Sequence, residues 1–207
     1  MIPGKSRILT CPYCGEEKEV MSIVSGNTFG ARLWSDNKRI ARMLPEISYV
    51  QKCPNCGKYY IMSRLKNTRY SEDRTSFEQG LLTFPEMKEA FVQLSKEGFL
   101  NKKEESQVRM MLHHAYNDYY YRDGREKEVD DKDNILFHEN GLWLIEHHIT
   151  DNVMKAEFYR EIGEMEQARL TLDAAVINND FVRGIADKIR EKLDMDDCRV
   201  FEINMRT

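Results

Sequence analysis

Two periodicities divide the chain. Residues 7–10 (RILT), 19–24 (EVMSIV) and 47–52 (ISYVQK) carry β-branched and alternating apolar residues, the period-two pattern of strands. Residues 59–63 (YYIMS) predict a further strand, and Gly26-Asn27 marks a turn. From about residue 76 the pattern changes to a helical one. In TFPEMKEAFVQLSKEG, Thr83 is the expected N-cap, Pro85 falls in the first turn and Glu86 takes the capping-box position. Met87, Phe91 and Leu94 recur at helical spacing, and Gly98 is the expected C-cap. Val108, Met111, Leu112, Ala115 and Tyr119 form the stripe of a helix over 102–122, followed by an acidic connection at 123–134. Further helices are predicted at 135–149, with Gly141 its weak point, and at 181–194, with Ile185, Ile189 and Leu193 inward. Residues 199–203 (RVFEI) alternate like a strand that docks on either the helical body or the N-terminal part. The expected fold is α+β: a small β-rich N-terminal region over 1–70, then an α-helical body over 71–207.

The four cysteines of CPYCG (11–15) and CPNCG (53–57) change this picture most. A C-x-x-C turn folds back around a metal and delivers two sulfurs. Two such turns complete a tetrahedral thiolate set at metal–sulfur distances of about 2.3 Å. Gly15 and Gly57 permit the left-handed backbone such turns need, and Pro12 and Pro54 stiffen them. Cys11, Cys14, Cys53 and Cys56 are therefore the expected ligands of a structural Zn2+ in a zinc ribbon. Iron in a rubredoxin-like site is the alternative. The 38 residues between Cys14 and Cys53 make a long insert. With four sulfurs the site has no open position for water, so its expected role is to fold the region. Cys198 stands apart and reads as a small apolar residue.

Charge is unevenly spread. Residues 1–70 hold 12 Lys and Arg against 5 Asp and Glu, a net +7, while residues 71–207 hold 19 against 30, a net −11. Within the insert, Arg32, Trp34, Lys38, Arg39 and Arg42 are the candidate nucleic-acid contacts, because cations neutralise phosphate and a ring can stack on a base. The other reading has Trp34 covering the small ribbon core and the cations solvated. No stretch has the length and apolarity of a membrane helix, and the residues before Cys11 contain no apolar signal core, so the expectation is a cytoplasmic protein without a membrane partner.

Residues 154–176 resemble a tetratricopeptide repeat, a helical hairpin with small residues where its helices cross. Ala156, Ala168 and Ala175 match the small positions, Tyr159 the aromatic, Leu172 the large apolar slot and Gly163-Glu164 the turn. Asn152, Lys155 and Asp180 depart from the repeat's Trp, Leu and Pro. The resemblance implies a hairpin over about 151–178 that stacks on its helical neighbours. The whole arrangement is also similar to bacterial zinc-ribbon proteins of unknown function, on CPYCG, LWSDNKRIARMLPE, CPNCGKYY, HHAYND and the tetratricopeptide-like end. That similarity implies the architecture and no activity.

Three functional readings follow. The leading one is a non-catalytic zinc protein that binds a protein or peptide partner as an interaction module or adaptor. The second is a nucleic-acid-binding regulator that uses the basic ribbon. The third is an enzyme, which requires His113 or His114 to meet His147 or His148 with Glu139 or Glu146 beside them, a second metal site in the helical body. Phosphate-cradling glycine loops and hydrolase or metalloprotease motifs are absent from the sequence. The aromatic run YNDYYYRD (116–123) predicts an Asp118–Arg122 ion pair and tyrosines that serve as either core or recognition surface.

Overall fold

The structure, a computed structural model, describes residues 1–66, 69–71, 80–125 and 127–203. Its strands are β1 (Ile2–Pro3), β2 (Arg7–Thr10), β3 (Glu17–Val20), β4 (Ile23–Ser25), β5 (Arg32–Trp34), β6 (Arg39–Ile40), β7 (Val50–Lys52), β8 (Tyr59–Ile61), β9 (Arg69–Tyr70) and β10 (Glu202–Ile203). Its α-helices are α1 (Phe84–Glu97), α2 (Lys102–Tyr120), α3 (Asp131–His147), α4 (Asn152–Glu161), α5 (Met165–Asp173) and α6 (Asp180–Asp194). Short antiparallel strands followed by a helical body make the fold α+β. The pattern change expected near residue 76 lies outside the described residues.

The chain forms two compact units. Met1–Ala31 and Ile40–Val108 make the first, and Arg32–Arg39 and Arg109–Thr207 the second. This partition differs from a linear division at residue 70. It places α1 with the strands and a piece of the inter-cysteine insert with the helices. β6 and α2 each cross from one unit to the other.

In the first unit β2 pairs antiparallel with β3, from Arg7↔Val20 to Thr10↔Glu17, and on its other edge with β9. β7 and β8 form a hairpin in the register Val50↔Ile61 and Lys52↔Tyr59. The stretch 19–24, expected as one strand, is two. Gly4 N–H donates to the Ser22 carbonyl at 2.8 Å, and the Ser22 hydroxyl donates to the Lys5 carbonyl at 2.6 Å, so the chain turns away after β3 to pair β4 with β1. Leu9, Val20 and Tyr60 pack with Cys11 and Cys53 as the core, so two sulfurs belong to the hydrophobic centre of this small unit. The capping box of Thr83 and Glu86 opens α1, and Gly98, at φ 86°, closes it. Phe84, Met87, Ala90 and Leu94 are the buried face of that helix.

In the second unit α4 and α5 form the expected hairpin. Asp151 caps α4, Gly163 makes the turn at φ 86°, and Ala156 and Ala168 are fully buried. Leu172 joins them, as do Ala186, Ile189 and Leu193 of α6 and Phe201. α3 begins at Asp131, four residues before the expected start, because the Asp130 side chain caps it by accepting from Lys132 N. The end of the acidic connection is thus a helical first turn, where carboxylates suit the N-terminal dipole. Gly141 is no weak point: a Cβ there would lie 2.4 Å from Ile162 Cγ2, so the glycine allows close packing at the end of α4. The alternating C-terminal stretch docks on the insert, β10 pairing with β5 in the register Glu202↔Trp34. No helix among the described residues is long and apolar enough to cross a membrane.

Candidate metal centre

Both cysteine knuckles are built the same way. β2 delivers Cys11 and β7 delivers Cys53. Cys11 N–H donates to the Glu16 carbonyl at 2.8 Å, and Cys53 N–H to the Lys58 carbonyl at 2.9 Å. Gly15 and Gly57 then turn the chain at φ 79° and 70°, returning their N–H groups to the carbonyls of Cys11 and Cys53. A β-carbon at either position would force a side chain into the left-handed region.

The four sulfurs lie within 4.8 Å of one another, the only such group of metal-binding side chains among the described residues. Cys11 Sγ is 3.8 Å from Cys56 Sγ, and Cys14 Sγ is 3.6 Å from Cys53 Sγ. A regular tetrahedron with metal–sulfur bonds of about 2.3 Å has sulfur–sulfur edges of about 3.75 Å. The set therefore fits a divalent metal with soft-ligand preference, and S4 geometry serves zinc and iron alike.

The four thiols are not equivalent. Cys11 and Cys53 are 3% and 1% exposed, whereas Cys14 and Cys56 are exposed. Burial pushes the Cys11 thiol up to about 12, against the lowering N–H donors of Tyr13 and Cys14. At Cys53 burial also opposes ionisation, but the N–H groups of Cys56 and Asn55 and the neighbouring thiols outweigh it and bring the group to about 7. Burial lowers the Lys18 ammonium, while the nearby Cys53 and Glu86 charges favour it. Lys18 Nζ lies beside the second knuckle, 3.4 Å from the Lys52 carbonyl.

α1 buttresses the second knuckle with a polar stripe that the sequence reading missed. Gln93 accepts from Tyr59 N–H at 3.0 Å and donates to the Tyr59 carbonyl at 2.8 Å, as a neighbouring strand would. Tyr59 OH donates to Glu89 at 2.7 Å, Tyr13 OH donates to Glu97 at 2.6 Å, and Lys52 pairs with Glu86 at 3.2 Å. The available signal was the spacing of Glu86, Glu89, Gln93 and Glu97, which puts all four on one face of a helix.

The second unit encloses a buried polar network, also missed. Asp36, fully buried, accepts from both terminal nitrogens of Arg122, from Asn117 at 3.1 Å and from Lys38 N–H at 3.1 Å. Although burial opposes its ionisation, His114 and Arg122 hold its carboxyl below the usual range. Glu161 meets His113 Nε2 at 2.8 Å, Asn117 at 3.0 Å and Ser35 Oγ at 3.3 Å. Arg160 pairs with Glu157 and donates to the carbonyls of Asp197 and Arg199. Burial pushes Glu157 and Glu161 up to about 7 and His113 down to about 4. The signal was charged residues at helix positions beside the buried Val153 and Ala156.

This network accounts for most of the insert's candidate nucleic-acid contacts. Trp34 is buried, with the guanidinium groups of Arg32 and Arg122 over its ring at 4.8 and 4.6 Å. Lys38 is held by Asp118, and Arg32 by Asp123 and Glu202. Arg39 and Arg42 are the exposed two of the five. The predicted Asp118–Arg122 ion pair is present at 2.5 Å.

The histidines do not assemble. His113 stacks on Phe137 and Phe158, and His114 contacts the Asp36 carbonyl. His138 pairs with Glu164, and His147 bonds the Trp143 carbonyl and stacks on its ring. The His-containing second metal site that the enzyme reading requires is therefore not formed among the described residues. Comparison with protein-family models, curated proteins and solved structures finds no match.

Proposed function

We propose that the chain is a non-catalytic zinc-binding protein that works by contacting a protein or peptide partner. The observation that carries the reading is the clustering of four sulfurs within 4.8 Å, with two of their separations, 3.8 and 3.6 Å, at the length of a tetrahedral edge. Four protein sulfurs fill a zinc shell, so the ion would close the knuckles and hold the ribbon core together. Zinc would neutralise part of the charge of the thiolates, and Lys18 would compensate more of it. Partner binding is supported by the helical hairpin and by large apolar side chains left exposed around α5 and α6: Leu170 at 59%, Val176 at 82% and Phe181 at 48%. A photo-crosslinker placed at Val176 should capture one discrete partner in cells, and Phe181→Asp should abolish the product. An unchanged product, or none, removes the adaptor reading. Salt-sensitive binding of labelled nucleic acid that is lost in Arg39→Glu/Arg42→Glu would replace it.

A further inference from the structure

The asymmetry of the four sulfurs has a chemical consequence. Cys11 takes N–H donors from Tyr13 and Cys14, and Cys53 from Asn55 and Cys56; both are buried. Such donors draw electron density from a thiolate, and burial bars an approaching reagent. Cys56 has the Lys58 N–H as its backbone donor, and Cys14 takes the Asn55 side-chain N–H at a long 3.7 Å; both are exposed. Cys56 also lines an open cavity of about 590 Å3 with Lys18, Lys52 and Glu86, wide enough for small solutes. Cys53 borders the same cavity but offers it almost no surface.

We propose that Cys14 and Cys56 are a modification site, the two metal-ligating sulfurs at which peroxides and soft alkylating electrophiles attack first, with loss of the metal as the result. The inference rests on the zinc reading. With a peroxide, the Cys56 thiolate attacks one oxygen; an S–O bond forms, the O–O bond breaks, and the departing hydroxide takes a solvent proton to become water. The Cys11 sulfur, 3.8 Å away, then attacks the sulfenyl sulfur. An S–S bond forms as the S–O bond breaks, and a second water leaves after protonation. Each sulfur gives up one electron, and the single peroxide takes both. Cys14 and Cys53, 3.6 Å apart, can repeat the sequence with a second peroxide. Zn2+ keeps its oxidation state and loses its ligands.

The test uses the whole 207-residue chain with its metal quantified before treatment. Limiting iodoacetamide, followed by peptide mass mapping, should label Cys14 and Cys56 severalfold faster than Cys11 and Cys53, with half-buried Cys198 as the internal reference. Hydrogen peroxide with a chromophoric chelator should release zinc while tryptophan fluorescence stays native; both tryptophans, Trp34 and Trp143, belong to the second unit. Asn55→Ala, which alters no ligand, should accelerate labelling of Cys14 and leave Cys56 unchanged. Equal labelling of the four, or zinc release only on global unfolding, overturns the inference and leaves the zinc reading standing. A purified protein without zinc overturns both.

Discussion

Asp36→Asn is the most informative single change in the second unit. The substitution keeps shape and removes one charge from a group that is fully buried and accepts four hydrogen bonds, two of them from Arg122. Arg122 is only 2% exposed, so its guanidinium cannot recover hydration. Removing one partner of a buried pair typically costs about 3–5 kcal/mol. Arg122 retains Asp118 at 2.5 Å, which places the expected loss near the lower end, about 3 kcal/mol. At about 2–4 °C per kcal/mol for a chain of this size, the midpoint should fall by about 6–12 °C. Tryptophan fluorescence reads this loss specifically, since both tryptophans belong to the second unit and neither to the cysteine-bearing one. The double variant Asp36→Asn/Arg122→Met should be less destabilised than the sum of the singles, by a coupling of about 1–3 kcal/mol. A loss for Asp36→Asn within about 0.5 kcal/mol, the range of ordinary surface changes, would refute the reading that the buried Asp36–Arg122 pair stabilises the second unit.

Other outcomes follow from the same contacts. Glu157 and Glu161 have folded values near 7, above their unfolded ones, so their contribution is full below about 4.5 and lost as pH rises through 7, whereas depressed His113 loses its contribution as pH falls from about 6.5 to 4. Denaturant titrations followed by tryptophan fluorescence should therefore show the second unit weakening from pH 6 to 8, less so in Glu161→Gln; strengthening over that range would contradict the assignment. Gly141→Ala should destabilise by about 1–3 kcal/mol despite the better helix propensity of alanine, and Ile162→Ala in the same chain should recover part of it. Gln93→Leu removes the partner of the Tyr59 N–H and leaves its carbonyl only the Tyr13 hydroxyl at 3.2 Å, and should cost about 1–3 kcal/mol, with faster loss of zinc to a chelator; an unchanged exchange rate would separate α1 from the metal site.

The four-cysteine cluster was legible in the sequence because a C-P-x-C-G knuckle is a local unit: proline, glycine and two sulfurs specify it within five residues. The caps of α1 and the small positions and turn of the α4–α5 hairpin were legible for the same reason, since near neighbours along the chain decide them. What was not legible depends on partners distant in sequence. Asp36 looks like a loop residue until Arg122, 86 positions later, encloses it. Trp34 reads as either core or stacking surface, and its pairing strand β10 decides for burial, whereas Lys38 looks like a solvated cation until the Asp118 carboxylate turns it inward. The histidine pairs suggested a shared ligand, but Phe137 and Phe158 take His113 into the aromatic core instead.

The central claim concerns the metal, and X-ray absorption of the purified protein tests it most directly. The account predicts a zinc edge with one metal per chain and a first shell of four sulfurs at about 2.3 Å, without nitrogen or oxygen neighbours. An iron edge, a shell mixed with lighter donors, or a protein that folds fully and binds no metal would contradict it.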